Sequence, residues 1–139
     1  MSDLIIEAGP FSFKARMETV KAPLTCAAFS RLLPFKEHLL HVRWSGESTW
    51  VPLGDLKVGV PPENATVYPL PGEILLYPGG VSETELLMPY GRTQFASKAG
   101  LLAGNHFLTI VSGAEHLQEL GRLALWNGAQ PILIDVFED

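Results

Sequence analysis

The sequence has only one cysteine, Cys26, among 139 residues, so no disulfide bond can form within the chain. A thiol buried in a helix acts as a small apolar side chain, whereas a catalytic thiol needs a nearby histidine or a helix N-terminus. Cys26 lies close to the start of a predicted helix. We therefore expect a buried, unreactive thiol and keep a catalytic thiol as the alternative.

Basic residues are few and scattered. The chain has 10 lysines and arginines against 15 acidic residues, for a formal net charge of −5. Contact with a phosphate backbone needs clustered cations, so the sequence argues against a nucleic-acid partner. No run approaches the ~18 apolar residues of a membrane span, and the first residues lack the features of a signal peptide. We expect a cytoplasmic protein that does not associate with membranes.

Motifs for metal ions and phosphate groups are missing as well. The four histidines show no His-x-His or His-Glu-x-x-His spacing. The Tyr77–Gly80 segment lacks the Lys-Ser/Thr pair and the following helix that complete a phosphate-binding loop. We expect neither a metal ion nor another cofactor.

What the sequence does contain is a series of short strand patterns, punctuated by glycine and proline, and two helices. Predicted strands lie at Phe11–Met17, His38–Trp44, Thr49–Leu53, Glu73–Tyr77, Glu83–Met88, Thr93–Ser97, Asn105–Val111 and Ile132–Phe137. Pro52 indicates a sheet edge or a bend, and residues 58–71 form a long loop. This pattern predicts one domain, residues 1–139, built as a closed β-barrel of about eight strands with the helices covering its ends.

Both predicted helices have start and stop signals. The first covers Pro23–Leu33, because proline suits a first helical turn and Pro34 ends the apolar periodicity. The second follows Ser112, whose spacing to Glu115 is typical of a capping box, and it ends at Asn127-Gly128.

Tyrosine, glutamate, asparagine and histidine are concentrated at the turns between Tyr68 and Phe107. Turns need glycine and proline for their backbone geometry, but they do not need these side chains. The density therefore indicates loops that converge on a site.

Charged residues in two predicted strands are the first candidates for residues of this site. Arg43 shares a strand face with His41, and an arginine suits a carboxylate, a phosphate or a peptide carbonyl. A structural salt bridge is its alternative. Glu83 and Glu85 also share a face, where they could bind a cation, act as a general base, or only form a solvated strand face.

Polar and aromatic residues at the turns are the other candidates for a functional site. Asn105 and His106 begin an apolar strand, so one of them must point to the core; His106 is either a buried structural histidine or a general acid–base. Trp50, Tyr77 and Tyr90 adjoin prolines or turns, where rings either brace corners or line a pocket.

The strand Phe11–Met17, the segment Ala22–Phe29, His41-Val42-Arg43 and Gly54-Asp55 together resemble the start of cyclophilins. Most of the chain is more specifically similar to a group of uncharacterised bacterial proteins with a cyclophilin-like fold. The shared phrases are residues 43–47, 62–65, 71–74, 77–80, 82–85, 89–91, 95–98 and 104–107. The resemblance implies the fold and assigns no activity. Only Arg43 maps onto the arginine of the prolyl isomerases, whose Phe-Met-x-Gln stretch is replaced here by Ser48–Pro52.

The leading hypothesis is a protein that binds, or also converts, a small acidic or amide-bearing metabolite in a cleft beside the barrel. The candidate catalytic residues are Glu83, Glu85 and His106, and the candidate ligand-binding residues are Arg43, Trp50, Tyr77, Tyr90 and Asn105. The sequence does not decide whether the chain is an enzyme. One alternative is a peptidyl-prolyl isomerase. Another is a non-catalytic subunit with exposed apolar residues around Trp126, Ile132 and Phe137, and a homodimer is the default assembly.

Overall fold

The computed structural model describes residues 3–138, in which strands close an antiparallel barrel. In chain order the elements are β1 (Asp3–Ala8), β2 (Phe11–Met17), α1 (Pro23–Ser30), β3 (Phe35–His41), β4 (Gly46–Gly54), β5 (Ala65–Thr66), β6 (Glu73–Tyr77), β7 (Thr84–Thr93), β8 (Ala96–Ser97), β9 (Gly100–Leu101), β10 (Gly104–Ser112), α2 (Leu117–Asn127) and β11 (Gln130–Val136). The strand order is β2-β1-β11-β3-β4-β7-β6-β10, and β10 pairs back with β2 to close the barrel. The predicted barrel of about eight strands with two helices is confirmed.

Alternate residues of the barrel strands point inward and form the main core. Leu4 and Ile6 on β1 and Phe13 on β2 are almost completely buried, as the two-residue period of a strand requires. Burying one such side chain stabilises a protein by about 1.5–3 kcal/mol. The same period leaves the polar residues between them on the outside of the barrel.

The two helices add apolar side chains to this core. Phe29 of α1 is buried with its ring centroid 5.1 Å from that of Phe107 on β10. Leu117 and Leu120 of α2 are buried on one face of that helix, which lies against β3, β4 and β7. Each helix therefore covers barrel residues with a single apolar face.

A second apolar cluster lies on the outer wall of the barrel, where a strand residue would normally meet solvent. Leu75, Tyr77 and Leu87 point outward from β6 and β7, and Phe95 and Leu102 pack on them. These last two residues flank the small hairpin of β8 and β9, so their burial fastens residues 93–103 across the outer wall. This covering segment forms one side of the cleft described below.

The predicted helix boundaries need two corrections. α1 ends at Ser30 rather than Leu33, because hydrogen bonds from the N–H groups of residues 31–33 run to carbonyls only three residues earlier and tighten the chain before Pro34. The capping box does not form, since Ser112 is the last residue of β10 and no side chain caps α2. Gly113 adopts φ 93° against the Ser12 carbonyl and leads into a 3-10 turn instead.

Several strand predictions also differ from the structure. β3 covers Phe35–His41 rather than His38–Trp44, so Arg43 lies in the turn after the strand and does not share a strand face with His41. Asp3–Ala8 forms a strand that the patterns did not reveal, between β2 and β11. Thr93–Ser97 is not a continuous strand, because β7 ends at Thr93 and only Ala96–Ser97 pairs with β9. Pro52 was expected at a sheet edge or a bend, but it lies in β4, a central strand of the sheet. Its missing N–H group breaks no hydrogen bond to β3, because the pairing of β3 with β4 ends at Trp50.

The apolar surface predicted for a partner subunit forms only in part. Ile132 is 3% exposed and belongs to the core, and Phe137 is partly buried with the Lys14 ammonium 4.5 Å from its ring centroid. Trp126 is 77% exposed, as expected. Within residues 3–138, no helix has the length and apolar character needed to cross a membrane.

Candidate functional site

A cleft of about 550 Å³ opens on the outer wall of the barrel. Its sides are the end of β3 with the turn to β4, the start of β7, the β8–β9 hairpin and the C-terminal end of α2, which contributes Ala124 and Gly128. The polar lining residues are His41, Arg43, Ser45, Ser82, Glu83, Glu85, Ser97 and Lys98, and the larger apolar ones are Leu40, Val42, Trp44 and Trp50. This volume falls in the range of small-molecule sites in proteins.

Glu85 is the most unusual of these residues, because its side chain is largely buried while its carboxyl oxygens still reach the cleft. It is 6% exposed, and it points to the outer face of β7, opposite Tyr77 on β6 and Pro52 on β4. Burial, assisted by the negative charge of Glu83, raises its pKa to about 8. Within residues 3–138 its side chain makes no hydrogen bond or ion pair. The cleft thus contains a carboxyl group that is protonated at neutral pH and has no protein partner.

Glu83 lies two residues before Glu85 and is exposed. Its Oε1 atom accepts a hydrogen bond from the backbone N–H of Gly54, at 3.1 Å. This bond fixes Glu83 at the edge of the cleft, where its charge favours a cation and opposes ionisation of Glu85. The sequence predicted that both glutamates lie on one face of a strand, but β7 begins at Thr84 and Glu83 precedes it; both residues nevertheless line the cleft.

Two cations, Arg43 and Lys98, line the cleft from the other segments. Both side chains are exposed, and in the described part of the chain neither has a carboxylate within 4.0 Å. Ser45 holds their two segments together: its hydroxyl donates to the carbonyl of Ala96 at 3.1 Å and accepts from the Ala96 N–H at 3.0 Å. Neither cation is engaged by the protein, so both are available to an anionic group.

The aromatic residues divide between the cleft and its support. Trp50 is half-buried in the cleft. Tyr90 does not line it but lies behind His41, donating to the His41 Nε2 atom at 2.8 Å. The Nδ1 atom of His41 is 2.9 Å from the Val42 carbonyl, so Nδ1 carries a proton, and in the neutral ring Nε2 is then the acceptor of the Tyr90 hydrogen bond. Burial raises the pKa of Tyr90, and its ring packs on Gly121 of α2.

His106 lies outside this cleft, on β10. Its Nε2 atom is 2.8 Å from the Thr109 hydroxyl, which in turn donates to Glu18. The Thr109 bond is the main reason that the pKa of Glu18 lies below its usual value, and Arg16 adds to the effect. The four residues form a hydrogen-bonded network on the barrel wall that is separate from Glu85.

Asn105 and Tyr77 also have structural roles in this conformation. The buried Asn105 side chain accepts from the Glu63 N–H and donates to the Thr25 hydroxyl and the Pro61 carbonyl, so it holds the long loop against the start of α1. Tyr77 accepts a hydrogen bond from the Val81 N–H at 3.0 Å. The structure therefore brings together Arg43, Trp50, Glu83 and Glu85, and it leaves Tyr77, Tyr90, Asn105 and His106 outside the cleft lining.

Sequence reasoning missed the contributions of Ser45, Ser97 and Lys98. The only sequence signal for these residues was that they lie in two segments, residues 43–47 and 95–98, that resemble the uncharacterised cyclophilin-like proteins. Cys26 is buried, as expected, and burial raises its pKa to about 11. Across residues 3–138, no three histidine, cysteine or acidic side chains are grouped to hold a metal ion.

Solved structures with the same architecture have little sequence identity to this chain. McbB, determined in complex with tryptophan, has a TM-score of 0.73 and 15% identity over 98% of this chain. The chain spans only 45% of the length of McbB. The hypothetical protein AF2241 from Archaeoglobus fulgidus, solved in solution, has a TM-score of 0.61 and 17% identity, covering 96% of this chain and 93% of its own.

A cyclophilin-type peptidyl-prolyl cis-trans isomerase from Cryptosporidium parvum, crystallised in the presence of the dipeptide Ala-Pro, has a TM-score of 0.60 and 14% identity over 99% of both chains. These likenesses show that the fold is cyclophilin-like. No curated protein matches the sequence. A family model does match it, over residues 4–135, and the chain therefore belongs to the family described as "Protein of unknown function (DUF3830)".

Proposed function

We propose that the outer cleft binds a small molecule that carries an acidic or amide group. The observation that carries this proposal is the unpartnered carboxyl group of Glu85 in the cleft. Within residues 3–138 no fully buried side-chain oxygen or nitrogen atom lacks a partner, so the Glu85 carboxyl oxygens, which have no protein partner, must be open to the cleft. A ligand can therefore hydrogen-bond directly to a carboxyl group that the protein itself leaves unpaired.

The protonated form of Glu85 suits an amide or a carboxyl group in particular. A neutral carboxyl group offers one donor and one acceptor side by side, and an amide offers the complementary pair. The raised pKa, about 8, keeps the donor in place at neutral pH. Strongly shifted carboxyl groups in clefts are typical of functional sites, which supports the choice of this residue.

The cations provide the second point of recognition. Arg43 can bind a carboxylate through two parallel hydrogen bonds, and Lys98 adds a second positive charge. Trp50 supplies a flat apolar surface between the polar groups. The McbB complex with tryptophan supports the general idea, since a protein of similar fold was determined with an amino acid, which carries a carboxylate.

If the ligand is also converted, Glu85 is the residue that we assign to proton transfer. A general acid or base works best when its pKa lies near the working pH, and the Glu85 value of about 8 meets this condition. Glu83 would act through its charge on Glu85. His106 would take no part, because its ring bonds to Thr109 outside the cleft.

Thermal unfolding with a panel of carboxylates, amides and cyclic imides tests the proposal. A ligand at 100 times its dissociation constant stabilises the folded state by about 2.7 kcal/mol. We expect such a stabilisation in wild type and its loss in Arg43→Ala. Lys21→Ala is the matched control, because Lys21 is an exposed cation outside the cleft. Absence of stabilisation by every compound, or equal stabilisation of all three proteins, would contradict the proposal.

Prolyl isomerisation is the second candidate, and the likeness to the Cryptosporidium parvum isomerase over 99% of both chains is the observation in its favour. Of the Ser48–Pro52 segment, only Trp50 lines the cleft, while Ser48, Thr49 and Val51 are buried. A protease-coupled peptide assay decides the matter. A rate no faster than the uncatalysed process, which takes tens of seconds, excludes this activity.

A further inference from the structure

The charged residues of the cleft are sorted by sign along its length. The acids, Glu83 and Glu85, are at the start of β7, whereas the cations come from the β3–β4 turn and the β8–β9 hairpin. None of the four is in an ion pair within residues 3–138. A cleft with an acidic end and a basic end favours a ligand that carries both charges.

Strand pairing gives the separation of the two ends. Glu85 faces Pro52 on β4, and the N–H of Val42, next to Arg43, bonds to the Ser48 carbonyl on the same strand. These positions on β4 are four residues apart, or about 13 Å along the strand at a rise of ~3.3 Å per residue. The β3 and β7 segments lie on opposite sides of β4, which adds about 10 Å across the sheet, so the backbones of the two ends are about 16 Å apart. The side chains of Arg43 and Glu85 both line the cleft and reach towards each other from these backbone positions. The remaining gap between their charged groups is one that a small molecule can bridge.

We propose that the ligand is a zwitterion of the amino-acid type, an inference that rests on the proposed function of the cleft. Its carboxylate lies against Arg43 and Lys98, its ammonium group lies against Glu85, and its apolar body lies on Trp50. An ammonium group is a better partner than an amide at this end, because the Glu83 charge also attracts it. Binding then requires Glu85 to lose its proton, so ligand uptake releases a proton to solvent.

Proton release is the property that separates this inference from simple recognition of an acid. At pH 7 a carboxyl group with a pKa of about 8 is protonated in about nine of ten molecules. An ammonium group stabilises the ionised carboxylate, so close to one proton should leave for each ligand bound. The charged or titratable groups that line the cleft with Glu85 or pair beside it are Glu83, Tyr77, His41, Arg43 and Lys98, of which Glu83 acts on its charge.

Calorimetric titration with the standard amino acids, in two buffers of different ionisation enthalpy, measures the effect. We expect at least one apolar or aromatic amino acid to bind wild type with release of about 0.9 proton at pH 7. Glu85→Gln should bind it about tenfold more weakly or worse and release none. Because His41 is unchanged in this variant, the difference between the two proteins isolates Glu85.

Analogues of tryptophan test which charges the cleft requires. Indole-3-propionate lacks the ammonium group, tryptamine lacks the carboxylate, and N-acetyltryptophan replaces the amine by an amide. The zwitterion should bind about tenfold or more tightly than each of them. Equal or tighter binding of indole-3-propionate or N-acetyltryptophan would overturn this inference and leave the proposed function intact. Failure of every standard amino acid to bind would also overturn it, and the panel of acids and amides then decides the proposed function separately.

Discussion

Replacing Glu85 by glutamine should change how the stability of the protein depends on pH. Glutamine has the shape of the protonated carboxyl group but cannot ionise. In the unfolded chain Glu85 loses its proton near pH 4.5, whereas in the folded protein its pKa is about 8. Between these values the folded state holds a proton that the unfolded state has released, so stability falls as pH rises.

The magnitude follows from the same two values. The free energy of unfolding should fall by about 1.4 kcal/mol per pH unit through this window. At pH 7 wild type should have lost roughly 3 kcal/mol relative to pH 4.5, and roughly 4 kcal/mol by pH 8, with little further loss above that. Glu85→Gln should lack this loss. The variant should therefore be more stable than wild type at pH 7, by an amount that shrinks towards zero near pH 4.5.

Urea unfolding of both proteins at pH 5, 6, 7 and 8 measures the difference. The lowered pKa of Glu18 acts in the opposite direction, but it is present in both proteins and cancels. Glu37→Gln is the matched control, since Glu37 is an exposed carboxylate on β3 that lies outside the cleft. Parallel pH profiles for wild type and Glu85→Gln would refute the argument that Glu85 is buried as a neutral acid.

Three further predictions concern the support of the site and the fold. Gly121→Ala should destabilise the protein by about 1–2 kcal/mol in urea unfolding, because the added Cβ atom would overlap the Tyr90 ring. This cost arises although alanine favours helices more than glycine does. If the same change is equally destabilising in a Tyr90→Ala background, the overlap is not the cause. Asn105→Ala should cost about 3 kcal/mol in unfolding free energy, since three hydrogen bonds to the long loop and α1 are lost, and a cost below about 1 kcal/mol would contradict that role. Cys26 should react with a disulfide reagent at pH 8 only after unfolding, because it is 4% exposed and its pKa is raised to about 11; labelling of the native protein within seconds would exclude this.

Much of the barrel could be predicted because strand burial follows a local rule. The alternating residues of Phe11–Met17 and the apolar run of Glu73–Tyr77 predicted β2 and β6 with the bounds that the structure shows. The strand at Asp3–Ala8 is different, since it is defined by its pairing with β2 and β11. No local pattern records such a partnership.

The same local alternation of strand residues predicted part of the candidate site. Alternation placed Glu83 and Glu85 on one strand face; Glu83 in fact precedes β7, yet both residues line the cleft. On β10 alternation was a poor guide, because a register shift between His106 and Leu108 lets the adjacent residues Phe107 and Leu108 both be buried. This bulge displaces the expected alternation around His106. The position of Lys98 depends on the packing of residues 93–103 over the outer wall, which only the folded chain shows.

The central claim is that the outer cleft is the ligand site, and the tryptophan side chains offer the most direct test of it. The chain has three tryptophans, two of which, Trp44 and Trp50, line the cleft, while Trp126 is exposed elsewhere on α2. Each indole N–H gives its own signal in a nitrogen–proton NMR spectrum. With any compound that raises the unfolding temperature, we predict that the Trp50 signal shifts, with or without that of Trp44, and that the Trp126 signal stays in place. A stabilising compound that shifts Trp126 and leaves both cleft tryptophans unchanged would contradict the account.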